Sequence, residues 1–514
     1  MVYESVILQA IFTFLKFLWK SYDNSFLARI VRKFASAIKS YASGSVIWNF
    51  VKRKDFFSKT WDNSVIFKVL ECLIKLPSRL CSKAYRKVEG FVNESIFFRL
   101  LKVLLERLEI IIGISFALIV IIPYDWWRGM YGVIIVAAIV FLFFIKTVID
   151  SNVSFSLKPL DFALAVFILS IVLAAVMSLF PEMSFEYMVL YLTCFLLVMV
   201  IANSIKTGQK LNSMLEIFLI GISMTAFYGL WQWKVVGVAV NPSITDVRLN
   251  PGLVRIYSTM GNENVYGELL VLALPFFWAV VFNSKTLFKK ALYVFLFVVS
   301  VVGLLLTGSR SAWISFAVSM MVLLFFKNRK LLPVVVVLGI LCIPVLPQPI
   351  YRRIMSIFNP NDKSVSTRGE IYEAASPMLK DYWTTGVGLG TEAFQVIFKR
   401  YQPFGAINYA HTHNLYLQLW LEAGVVAVIS FVWMVIRIIK KSVLKVFGNI
   451  FDSYVKNILI TGISSVAGIL VMGLADHIWF FNRIVFIFWM VIGIILAGLR
   501  ISSEKEEQAH QNNG

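Results

Sequence analysis

Apolar runs of about 17–25 residues recur from residue 108 onward, each long enough to cross the hydrocarbon core of a bilayer. They predict helices near 108–122, 130–145, 160–180, 185–202, 211–233, 265–282, 288–306, 311–326, 331–347, 414–436, 456–475 and 480–499. The expected fold is an all-α, polytopic transmembrane bundle of about twelve spans over 108–500, with both termini on one side. Two long connections, 234–264 and 348–413, interrupt the runs, and 501–514 reads as a polar tail.

Residues 1–107 follow a different pattern. Phe26, Ile30, Phe34 and Ile38 recur at helical spacing, with Arg29, Arg32, Lys33 and Lys39 on the opposite side, which describes a basic amphipathic helix. A weak repeat accompanies it. Asp23-Asn24-Ser25, Asp62-Asn63-Ser64 and Asn93-Glu94-Ser95 each stand before an apolar-periodic run, where a serine N-cap belongs, and Ser45 marks a possible fourth copy. The region is expected to lie on the cytoplasmic leaflet and to meet anionic lipids. A small helical bundle that touches no lipid is the alternative.

Composition supports the membrane reading: 59% of residues are hydrophobic and 15% charged, against an apolar share nearer half in soluble domains. The net charge of +20 does not point to nucleic acid, because of where it falls. Residues 1–109 hold 19 Lys and Arg against 9 Asp and Glu. Most of the rest flanks spans: Lys146 and Lys158, Lys206 and Lys210, Lys285 to Lys290, Lys327 to Lys330, and Arg437 to Lys456. The opposite connections, such as PEMSFE at 181–186, are poor in Lys and Arg. The positive-inside rule then makes the termini cytoplasmic and turns both long loops outward. The first basic residue, Lys16, follows the first apolar stretch, so no cleavable signal is expected. Cys72, Cys81, Cys194 and Cys342 have no disulfide or zinc-ribbon spacing.

The polar residues of interest lie in the outward loops. Arg255 precedes a membrane re-entry, Arg310 ends the turn Thr307-Gly308-Ser309-Arg310, and Arg368 stands in the second long loop. Arginine suits a phosphate-bearing ligand through its planar, permanently charged fork. Of only four histidines, His411 and His413 stand two apart before an apolar run. They supply two zinc ligands at most and His477 a third, without HExxH or a carboxylate-rich spacing, so no metal is expected. Asn414 or Thr412 is placed to cap the helix that follows.

His413-Asn414-Leu415-Tyr416-Leu417 followed by Glu422-Ala423-Gly424 resembles the signature of the O-antigen ligase and Wzy polymerase superfamily. The resemblance extends to Arg255 with Gly261-Asn262, to Thr307–Arg310, and to Arg368 with Gly386-Val387-Gly388-Leu389-Gly390. One departure is Asn262-Glu263-Asn264, where the family commonly has Asn-Pro-Asn. The resemblance implies a GT-C-like, metal-independent glycosyltransferase with no cofactor. Such an enzyme transfers a glycan from an undecaprenyl-diphosphate-linked donor to a glycan, lipid or protein acceptor on the outer face. It implies His413 as the catalytic residue and Arg255, Arg368 and Arg310 as diphosphate-binding residues, with Asn414, Glu422, Gly424 and His411 in support. Ligase and polymerase activities both fit. A transporter or flippase of an anionic or lipid-linked solute is the reading from another class, although Glu216 and Glu268 are among few charges inside the spans. A scaffold recruiting partners through the N-terminal region would leave the loop residues without a role.

Overall fold

The computed structural model describes residues 56–237, 255–358, 363–403, 409–448 and 452–512. The Phe26–Ile38 face and the caps at Ser25 and Ser45 lie outside these residues.

Regular structure among the described residues is helical, with no strand. Three helices come first: α1 (Phe56–Asn63), α2 (Val65–Glu94) and α3 (Ile96–Glu106). The bundle continues as α4 (Leu108–Ile121), α5 (Gly129–Ile149), α6 (Phe162–Val176), α7 (Pro181–Ser204) and α8 (Gly208–Trp231). Next are α9 (Glu263–Asn283), α10 (Leu287–Leu306), α11 (Arg310–Asn328), α12 (Leu332–Cys342) and α13 (Gln348–Met355). The last five are α14 (Lys363–Tyr382), α15 (Thr391–Phe398), α16 (Leu415–Phe447), α17 (Ser453–Met472) and α18 (Asn482–Asn512).

Local sequence sets these boundaries. Asp161, Thr207, Asn262, Thr286, Asn414 and Asp452 each accept a backbone N–H from the first turn of the helix they open. Ser64 does the same for α2 through Phe67 N–H at 3.1 Å, as the repeat predicts. Ser95 divides α2 from α3 without a side-chain cap. The PEMSFE segment is not a connection but the opening of α7: Pro181 fits the first turn, where no N–H is needed, and Glu182 complements the helix dipole. The polar tail is likewise a continuation of α18 to Asn512.

Nine stretches among the described residues are long and apolar enough to cross a membrane, and the shorter apolar helices α4 and α6 accompany them. One of the nine is Arg310–Val345, where the pattern predicts two spans. Its helix breaks at Asn328, whose φ of −158° and ψ of 84° lie outside the helical region. Arg310 at the start of α11 donates to the Ser356 carbonyl just past α13, at 2.9 Å. The intervening chain therefore leaves one end of the bundle and returns to it.

At the centre stand α18, α9 and α17, with 94%, 89% and 78% of their most apolar windows buried, whereas α5 has 28%. The central helices are joined by polar side chains. Asn457 donates to Asn283 at 2.6 Å, Asn283 to Asn212 at 2.9 Å, and Asn212 to Glu216, which also receives Lys289 at 2.6 Å. This chain sits at the lysine-rich end. At the same end, Trp61 donates to the Leu160 carbonyl, Ser156 to Glu71, and Ser82 to the Val148 carbonyl. These contacts from α1 and α2 meet the last turn of α5 and the α5–α6 connection, so α2 lies across the end of the bundle rather than through it.

The other end carries the second long loop. It folds as helices α13 to α15, and Ile371, Ala375, Met378, Val387, Phe394 and Phe398 form a small core of its own. Segment 386–390 ties this cap to the bundle: Val387 N–H donates to Leu421 O at 2.8 Å, and Leu179 N–H to Val387 O at 3.1 Å.

Candidate active site at the arginine–histidine end

His413 closes the loop before α16 and has a φ of 51°, a strained value for a residue other than glycine. Its neighbours fix that conformation. Thr412 N–H donates to Gln418 Oε1 at 2.8 Å, and Asn414 caps α16 while donating to the Leu474 carbonyl at 3.2 Å. The His413 N–H donates to His411 Nδ1 at 3.2 Å, which places the His411 proton on Nε2. His411 is buried against Phe480, and burial pushes its pKa down to about 4, with His413 and Arg368 acting in the same sense. His411 is thus a neutral prop for the loop.

The His413 side chain, 30% exposed, meets a residue that the sequence reading passed over. Its Nδ1 lies 3.1 Å from Oδ1 of buried Asp476. Burial alone would raise the Asp476 pKa, but the His413 hydrogen bond and the nearby Arg368 charge hold it well below the usual carboxylate range. With Asp476 ionised, the imidazole proton belongs on Nδ1 and the Nε2 lone pair is left to accept one. Burial pushes neighbouring His477 well below its ordinary value, so it stays neutral.

Four arginines lie at the same end of the bundle, and Arg368 is beside this pair. Arg368 donates to Ser364 O and Oγ, and through Nη2 to the Ala475 carbonyl at 2.8 Å, one residue from Asp476. Its buried Nε has no hydrogen-bond partner. Arg255 is buried, with Nε on the Thr307 carbonyl at 3.0 Å and Nη2 on Asn264 Oδ1 at 3.0 Å. The Thr307–Arg310 turn organises three arginines at once. Gly308, at φ 61°, passes so close to Arg255 that a Cβ there would stand 3.1 Å from its Cγ. Gly308 also accepts Arg353 Nε at 3.0 Å, while Arg310 donates to Ser356. Arg353, buried in α13, is a fourth arginine that spacing alone did not single out. Burial and the Arg310 charge lower the Arg255 pKa, opposed by Glu263 and Asp476. Since a guanidinium stays protonated, the physical content is a partly dehydrated group of cations held by backbone and side-chain acceptors. Glu263 stands 4.0 Å from Arg255 Nη1.

Glu422 and Gly424 act from behind. Glu422 is buried, accepts Gln418 Nε2 at 2.7 Å and Gly390 N–H at 3.1 Å, and so links the histidine loop to segment 386–390. Gly424 has a φ of 77°, and a Cβ there would stand 2.0 Å from the Thr384 carbonyl oxygen. Only glycine lets the cap cross α16 at this point.

Ligand atoms of His411, His413 and Asp476 lie within 4.8 Å of one another, a spacing a metal ion could use. Their hydrogen bonds already engage Nδ1 of both imidazoles and Oδ1 of the carboxylate, and Arg368 is a poor neighbour for a cation.

The sequence comparison agrees with this geometry. Residues 268–432 match the family described as O-antigen ligase. That stretch, about a third of the chain, is similar to an O-antigen ligase domain. The matched region holds Arg310, Arg353, Arg368, His411, His413, Glu422 and Gly424. Arg255 and Asp476 lie on either side of the matched region. Among curated proteins, none matches the chain.

Proposed function

We propose that the protein transfers a glycan from an undecaprenyl-diphosphate-linked donor to an acceptor hydroxyl at the outer face of the bacterial cytoplasmic membrane, without a metal. The observation that carries this reading is the His413–Asp476 pair with Arg368 beside it, at the end of the bundle that also holds Arg255, Arg310 and Arg353. The acceptor oxygen attacks the anomeric carbon, and His413 Nε2 takes the proton of that hydroxyl. The bond from the anomeric carbon to the diphosphate oxygen breaks, and its electron pair leaves with the lipid diphosphate. Arg255, Arg310, Arg353 and Arg368 stabilise the charge that develops on that group in a partly dry site. Asp476 fixes the imidazole tautomer and steadies the cation formed on it.

The lysine-rich end, by the positive-inside rule, faces the cytoplasm, which puts this site outside. A single-step conjugate as product identifies a ligase; a ladder of repeat units identifies a polymerase. We favour the ligase.

Donor binding tests the role of the arginines. Arg368→Ala should weaken binding of a lipid-diphosphate oligosaccharide by roughly ten- to a hundred-fold, the worth of a charge-assisted hydrogen bond. Arg368→Lys should rescue little of it, because the fork is lost. Unchanged binding in both variants would remove Arg368 from the donor site.

A further inference from the structure

The amphipathic helix α2 is turned inside out relative to one in a soluble protein. Glu71, Lys75, Ser78 and Ser82 face the bundle, whereas Val65, Ile66, Leu73 and Leu80 are 75%, 64%, 57% and 57% exposed. Such a face needs an apolar environment outside the chain. Behind the polar stripe lies a cavity of about 880 Å³, walled by Glu71 and Lys75, the α5–α6 connection, and the lysine-rich ends of α16 and α18. It sits a full span along α16 from His413.

The charge in this cavity is uneven once pairs are removed. Glu71 takes Lys75 at 2.8 Å, Glu506 takes Lys445 at 2.5 Å, and Asp161 takes both Arg437 at 2.8 Å and Lys441 at 2.5 Å. Lys206 donates to the Asn152 carbonyl at 3.1 Å, and neither it nor Lys158 has an ion pair among the described residues, against one lining carboxylate without one, Glu507. The Nε of Arg500 has no hydrogen-bond partner, and Glu504 stands 3.7 Å from it. Surplus donors within a cavity, beside an apolar helix face, describe a site for a group that is anionic at one end and apolar at the other.

We propose that this cavity holds the phosphate headgroup of an anionic phospholipid, with acyl chains against the outward face of α2. Lys158 and Lys206 meet the phosphate, and α2 is the wall between headgroup and chains. The site is separate from the transfer reaction: no residue of it touches His413, and its test does not depend on glycan transfer.

The full-length protein is placed in nanodiscs of equimolar phosphatidylglycerol and phosphatidylethanolamine, released into mild detergent, and examined by native mass spectrometry. Wild type is expected to retain phosphatidylglycerol in preference. Lys158→Gln/Lys206→Gln should retain it on the order of thirty-fold less well, from roughly five-fold per lysine. Both lysines are exposed, so the double variant should keep its melting temperature. Leu73→Gln/Leu80→Gln should lower retention while leaving both lysines in place. Equal retention of phosphatidylglycerol by wild type and the lysine variant, or no preference in wild type, overturns the proposal. Displacement by millimolar inorganic phosphate would also overturn it, by assigning the cavity to free phosphate.

Discussion

The proposed reaction rests on one residue, His413, held in a strained backbone by its own loop. The histidines and Arg255, Arg310 and Arg368 were legible in the sequence because polar residues beside apolar runs stand out. Asp476 was not: it follows His413 by 63 positions, and only the α17–α18 turn brings the two together. Arg353 escaped notice for a related reason, since the role of α13 depends on the returning chain at Arg310. The buried His411 gives the loop a pH dependence. Its pKa falls from the ordinary 6.5 to about 4 on folding, so between those values the unfolded loop binds a proton that the folded one does not. Loop stability should therefore be greatest above about pH 6.5 and decline as pH falls toward 4, by on the order of 3 kcal/mol. Hydrogen exchange over 409–415 measures it; protection that stays level from pH 7 to pH 5 would refute a neutral, buried His411.

At the scale of elements, the spans were readable because an apolar run dictates a helix in lipid, where every backbone group must be paired internally. The second long loop was not read as α13 to α15. These helices are short or polar on most faces, and their core exists only once segment 386–390 lies across α16. Glu422 and Gly424 belong to that crossing. Gly424→Ala should destabilise the cap by at least about 1–3 kcal/mol, from a left-handed backbone and a clash with the Thr384 carbonyl. Limited proteolysis of residues 363–403 measures the effect. A cap as resistant as wild type would show that α16 tolerates a Cβ there.

The whole molecule places two different chemistries at opposite ends of one bundle: arginines and histidines at one, lysines and helix α2 at the other. The orientation we propose, from the positive-inside rule, turns the lysine end to the cytoplasm. In a background freed of Cys72, Cys81, Cys194 and Cys342, Asp381→Cys should react with an impermeant thiol reagent in intact cells. Lys158→Cys should react only after the membrane is opened. The reverse pattern would turn the site inward and end the reading as an outer-face transferase.

The most direct test is glycan transfer by the purified protein in vesicles, supplied with a lipid-diphosphate oligosaccharide and an acceptor in the presence of a chelator. Wild type should form product, Asp476→Asn much less, and His413→Ala should fall by at least about 10²–10⁴-fold while still binding donor. Full transfer by His413→Ala, or loss of wild-type activity to the chelator with recovery on adding a divalent metal, would contradict a metal-free reaction run by this imidazole.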